Sequence, residues 1–170
     1  DMNMFKEILT NPYLLCEEFK IYPCVATDYT VIQRWAKQGK YIPNADRDSK
    51  YLQRVIGYYM KNVQPWVRVP RIIIDIPNDY ISHGNRDGHL REVIDNQNPN
   101  SNEIRKREIR NKKLTEYPIL IVDKFKSSGF DEYFIRYETR DRKNILGFCS
   151  LRLGHLNNPF LPELNNCSII

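Results

Sequence analysis

The chain has 170 residues, 41% of them hydrophobic and 28% charged, and a net charge of +5. That much apolar material supports a packed core and excludes a disordered coil, and no run of about 18 apolar residues exists to cross a membrane. Cys16, Cys24, Cys149 and Cys167 are scattered without a CxxC pair, which favours reduced thiols over a disulfide frame.

Residues 3–10 carry Met4, Ile8 and Leu9 at helical spacing, and Asn11-Pro12 ends that helix. Phe19–Ala26 reads as a short strand, with Pro23 marking an end or an edge. Asp28 is placed to cap a helix over Tyr29–Gln38, with Val31, Ile32 and Trp35 on one face and Gly39 as the stop. Asn44–Asp48 reads as a polar loop. Asp48–Asn62 reads as a second helix that buries Leu52, Val55, Ile56, Tyr59 and Met60. The organising stretch is Gln64–Pro77, where Val67–Ile76 reads as a strand buried on both faces. Strand, helix, helix and strand in this order predict neighbouring parallel strands.

After Pro77 the pattern changes. Asn78–Gly88 reads as a glycine loop, Asp87–Ile94 as a short helix and Asp95–Asn102 as a polar linker. Residues 99–113 then hold six basic side chains against two acidic ones, a patch that suits either a polyanion or a solvated linker. From Tyr117 the period becomes two. Strands are expected over Tyr117–Phe125, Glu132–Thr139 and Ile145–Leu153, with a fourth beginning in Pro162–Ile170. Short turns between them predict an antiparallel meander. The expected organisation is therefore residues 1–94, a basic linker over 95–116, and a β unit over 117–170. Asp1 and the unfinished run Cys167–Ile170 suggest a piece of a longer chain.

No nucleotide loop, nucleophile elbow or zinc-protease motif is present. His83, Asp87 and His89 lack a fourth ligand, so no metal is expected there. His155 reads as a turn residue, and Trp35 and Trp66 as core anchors. Lys20 and Tyr22 flank Ile21 and share one face. They either line a site or snorkel on an outer surface. Asp75 near the strand's carboxyl end either serves chemistry or caps the next turn.

The ordered set FKIYP, RWAKQGKY, QPWVRVPRIIIDIP, a glycine loop running into HLREV, EIRKREI, EYFIRYE and ILGFCSLRL resembles the catalytic subunit of Elongator. That family fuses a radical-SAM barrel to a GNAT acetyltransferase domain. Its pattern runs KxYP, a Trp-Gly-basic-Tyr helix end, PPWTRVxRxxRDIP, a glycine loop ending in NLRE, RxRE, FLSYED and LIGLLRLR. The resemblance implies an α/β fold: the C-terminal part of a radical-SAM (β/α) barrel, then the first antiparallel strands of a GNAT domain. It implies a tRNA-modifying parent that places a carboxymethyl-type group on the wobble uridine, also described as a lysine or histone acetyltransferase. The parent would use S-adenosylmethionine, a four-iron four-sulfur cluster and acetyl-CoA. None of these is expected to be held by the 170 residues, so whether this chain is itself an enzyme stays open. Implied partners are tRNA and either other Elongator subunits or a homodimer mate, in the cytoplasm or the nucleus.

Carried over by position, Lys20 and Tyr22 match KxYP, and Arg68, Arg71 and Asp75 match the RVxRxxRDIP strand. Gly84, Gly88, Leu90, Arg91 and Glu92 match the glycine loop and helix, and Arg105, Arg107 and Glu108 match RxRE. Lys20, Tyr22 and Arg71 are the candidate catalytic residues. Arg105, Arg107, Lys112 and Lys113 are the candidate tRNA contacts. The chain departs from the pattern at Ile74, at CVATDY after Pro23, and at Ser101, Glu103 and Lys106, where the family often carries zinc-ligand cysteines. The alternative is a non-catalytic RNA-binding, interaction or structural module derived from that family.

Overall fold

The structure, a computed structural model, describes residues 1–73, 75–154, 161–164 and 167–170. Ile74 and His155 lie outside the described residues.

Helix α1 (Met2–Thr10) buries Phe5 and Leu9, four residues apart, and extended Asn11 ends it. Helix α4 (Ser49–Asn62) is capped by Asp48, whose carboxylate accepts the Lys50 N–H at 2.9 Å. It buries Leu52, Val55, Ile56, Tyr59 and Met60, the face its spacing predicts. Phe5, Phe19 and Tyr59 pack their rings at centroid separations of 4.8 to 6.2 Å between these two helices.

The Gln64–Pro77 stretch lies against this core, with Val67, Val69 and Ile72 buried. It runs parallel to the Glu18–Ile21 segment, as the crossover predicts, through the pairs Glu18–Arg68 and Ile21–Ile72. It is not the continuous, doubly buried strand expected. Pro70 falls between the two pairs and has no N–H to give, so the ladder breaks there. Beyond the break Asp75 and Ile76 are exposed.

The Phe19–Ala26 strand is likewise divided at Pro23. Its second part is β1 (Val25–Thr27), which pairs antiparallel with β2 (Ile81–Gly84). The expected Asn78–Gly88 loop thus contains a strand. Gly84 has φ +106°, and a Cβ there would lie 2.9 Å from the Cys24 carbonyl oxygen, so the pairing requires glycine.

Helix α2 (Val31–Lys37) turns a different face inward from the one predicted. Val31 and Trp35 are exposed, and Gln33 is the buried residue. The Gln33 amide donates to Asp28 and accepts the Tyr29 N–H, and Thr30 rather than Asp28 caps the helix. Residues 44–48 also differ from expectation, since α3 (Asn44–Arg47) is a single helical turn. Helix α5 (Leu90–Gln97) starts and ends three residues later than predicted and seats Leu90 and Ile94 in the core. A further turn, α6 (Ile104–Arg107), forms inside the basic segment around buried Ile104.

The second half is a four-stranded antiparallel meander in the order β3 (Ile119–Ser127), β4 (Phe130–Glu138), β5 (Ile145–Leu153), β6 (Ser168–Ile169). Ser128 and Gly129 both have positive φ, 51° and 85°, the pair a two-residue hairpin turn needs to match strand twist. The face of β4 carrying Glu132, Phe134, Arg136 and Glu138 is buried. Trp66 stacks flat on Phe125 at 3.8 Å and ties the helical half to the sheet.

Candidate nucleic-acid interface

The basic segment does not form one surface. Its side chains separate into three environments, set by where α6 turns the backbone.

Arg107 points inward. Its Nε donates to the Asn102 carbonyl at 2.8 Å, one Nη to the Pro65 carbonyl at 2.7 Å, and the other to the Glu138 carboxylate at 3.2 Å. Burial pushes its pKa down from the ordinary value, against the pull of Glu138. Every nitrogen is committed to protein acceptors, so Arg107, expected at the tRNA surface, is placed as a buried internal tie.

Glu103 anchors the second environment. It is fully buried and accepts hydrogen bonds from Arg91 at 2.6 Å, the Val69 N–H at 3.0 Å and the Arg105 N–H at 2.9 Å. A buried carboxylate is tolerated because each oxygen is occupied. Burial works against the Arg91 cation, but Asp95 and Glu103 outweigh it and hold its pKa above the usual value. Lys106 donates to the Asp95 and Asn98 carbonyls at the end of α5, where a cation complements the helix dipole. Burial lowers its pKa. At the three positions where resemblance implied lost zinc cysteines, Glu103 and Lys106 thus form polar ties and Ser101 is buried.

The third environment is open. Arg91, Asp95, Arg105, Lys106, Glu108, Arg110 and Lys112 line a cavity of about 300 Å³. Five cations face two carboxylates there. Arg110 enters it from a left-handed backbone, φ 48°, with its guanidinium 3.6 Å from Glu108. Lys112 donates to the Asn144 side chain at 2.7 Å, and Lys113 is exposed beside it. The Arg105 guanidinium reaches the Pro70 carbonyl.

A second cavity of about 380 Å³ adjoins the first. Pro70, Arg71, Ile72, Ile73, Asp75, Gly88, Arg91 and Arg105 line it. Arg91 and Arg105 are common to both walls. Arg71 pairs with Asp75 at 2.7 Å, and the hydrogen bond it donates to the Tyr22 side chain raises its pKa. Tyr22, Arg71 and Asp75 therefore form one exposed ledge. Lys20 pairs with Glu18 at 2.9 Å on the surface. Arg68 is bound to Glu108 at 3.0 Å and braces the turn after α6.

Among the described residues no three His, Cys, Asp or Glu side chains are placed to hold a metal ion. His83 bonds Ser82, and His89 lies 3.8 Å from Glu92. Sequence reasoning did not single out Arg110 or Lys106 for this surface. Both lie in the basic run, but only the bend at α6 decides which members share a cavity.

The fold is an α/β half with a broken parallel pairing, followed by an antiparallel meander. Residues 16–98 match the family described as the Radical_SAM C-terminal domain. The whole chain aligns with the tRNA uridine(34) acetyltransferase of Methanocaldococcus infernus at 30% identity, covering 33% of that protein. It aligns with Elongator complex protein 3 of Drosophila melanogaster at 28% identity, covering all of this chain and 32% of that one. The solved archaeal Methanocaldococcus infernus Elp3 with an N-terminal deletion superposes with a TM-score of 0.85 at 28% identity, over 97% of this chain and 40% of that one. The chain is similar along its whole length to these proteins and spans about a third of the length of the curated relatives it matches.

Proposed function

We propose that this chain is the RNA-gripping junction of a tRNA-modifying, acetyl-CoA-dependent radical-SAM enzyme. Residues 1–94 act as the end of the barrel, 95–116 as the basic link and 117–170 as the start of a GNAT-like domain. The observation that carries the reading is the shared wall. Arg91 and Arg105 line both the cationic cavity and the cavity of Arg71, which supports a path from the basic link towards Arg71.

On this reading Arg105, Arg110, Lys112 and Lys113 take backbone phosphates, which fix position without reading sequence. Arg71, oriented by Asp75 and Tyr22, binds an anionic group of the nucleotide or of acetyl-CoA at the far end. Lys20, held by Glu18, stays outside this path. The longer relatives would supply the cluster, S-adenosylmethionine and the acetyl-CoA site, and with them the carboxymethyl-type chemistry at uridine C5. The 170 residues bind and orient. The reading places the protein with tRNA and other Elongator-type subunits, in the cytoplasm or nucleus.

The test is tRNA binding across a salt series for wild type and the Arg110→Glu/Lys112→Glu variant. Removing one phosphate-binding cation lowers the salt slope by about 0.9. An unchanged affinity and slope in a folded variant overturns the reading.

A further inference from the structure

The two oxygens of buried Glu103 serve different partners. Oε2 accepts both the Val69 N–H at 3.0 Å and the Arg105 N–H at 2.9 Å. One atom thus joins the Gln64–Pro77 stretch to the first turn of α6. Beside it the Ile104 N–H donates to the Val67 carbonyl at 2.9 Å, and the Arg105 guanidinium reaches the Pro70 carbonyl, one residue beyond Val69. Oε1 takes the Arg91 guanidinium at 2.6 Å, and the other Arg91 nitrogens go to Asp95 and the Val69 carbonyl. Each Arg91 nitrogen therefore has a protein acceptor. The Arg105 side chain, among the described residues, donates to Pro70 alone and lines both cavities.

We propose that Glu103 is a positioning residue for RNA binding, which fixes Arg105 in the wall shared by the two cavities. The inference rests on the RNA reading above and adds the group that sets one of its phosphate ligands. A long, flexible side chain binds better when its backbone is held beforehand, because less freedom is lost on binding. Oε2 holds the Arg105 backbone at the start of α6, as an N-cap does. It also holds the Val69 backbone, next to the carbonyl that Arg105 reaches. Both ends of that reach are set by one oxygen. Arg91 balances the carboxylate's charge in the buried site, so it acts as a brace and leaves the phosphate contact to Arg105.

Binding of tRNA by the 170-residue chain across a salt series, with urea unfolding of each variant, tests it. Arg105→Ala lowers the salt slope by about 0.9, the loss of one phosphate contact. Glu103→Ala lowers it by the same amount although Arg105 is present, and Glu103→Ala/Arg105→Ala shows no further loss. Glu103→Gln keeps an oxygen for the Val69 and Arg105 amides and turns its own amide towards Arg91. It unfolds at lower urea but binds with the wild-type slope. A merely structural Glu103 would shift the unfolding midpoint of Glu103→Ala and leave the slope of the folded protein unchanged, and that result overturns the proposal. So does Arg105→Ala with the wild-type slope, an outcome that needs no Glu103 variant to fold. So does Glu103→Gln with the slope of Glu103→Ala, which would route the effect through Arg91. In each of these cases weakened binding by Arg110→Glu/Lys112→Glu leaves the RNA reading standing. Unchanged binding by that variant removes the reading and the inference together.

Discussion

Glu138 on β4 accepts a hydrogen bond from Arg107 at the end of α6, 3.2 Å away, with the carboxylate fully buried. The same oxygen accepts from Arg136 at 2.8 Å, and Arg136 bonds Asp123 at 2.6 Å. This chain of charges lies where the helical half meets the sheet. A buried charge network holds only while every member is matched.

Glu138→Ala leaves two buried guanidinium groups without their shared partner. The expected cost is about 3–5 kcal/mol. Urea unfolding followed by circular dichroism measures it, and a loss below about 1 kcal/mol contradicts the role given to Glu138.

Arg107 and Arg110 stand three positions apart in one basic run, yet they should behave oppositely. Arg107→Ala destabilises by about 3 kcal/mol, because buried Glu138 loses one of its two hydrogen-bonded guanidinium partners. Arg110→Ala leaves the unfolding midpoint nearly unchanged and weakens tRNA binding. Thermal melts and filter binding on the two variants separate the effects.

Gly84→Ala strains the β1–β2 pairing. The backbone angle alone costs about 1–3 kcal/mol, and the new Cβ would meet Cys24 and Val25 backbone atoms at 2.9 and 3.0 Å. Gly88→Ala is the control, since a Cβ there meets nothing within 4 Å. Amide exchange should quicken at Val25–Thr27 in the first variant only.

Asp141 sets an acid dependence. The Thr139 hydroxyl donates to it at 2.6 Å and the Lys143 N–H at 3.1 Å, which holds its carboxyl below the ordinary value of 3.8. A depressed folded pKa gives stability that is present above the unfolded value and lost as pH falls through the folded one. Asp141→Ala should therefore be less stable than wild type near neutrality, and the gap should narrow as pH falls below the ordinary value of 3.8. A gap that is constant with pH rules the mechanism out.

The elements with strong periodicity were legible. All five apolar residues predicted for α4 are buried, and the Ile145–Leu153 strand has the expected ends. The α2 face was misjudged because Val31, Ile32 and Trp35 have helical spacing whether or not anything packs on them. The Gln64–Pro77 strand was overextended because the β-branched run hid the missing N–H of Pro70. The ledge of Tyr22, Arg71 and Asp75 was marked by resemblance, and the structure gathers those three while leaving Lys20 with Glu18.

The sequence alone determined the helices, the meander and the existence of a cationic stretch, because each depends on neighbours a few positions away. Tertiary structure decided which cations face solvent. Arg107 finds its partner 31 residues further along the chain, and Arg91 finds Glu103 across a turn 12 residues away. A local charge count cannot tell a guanidinium that meets a buried carboxylate from one that meets water.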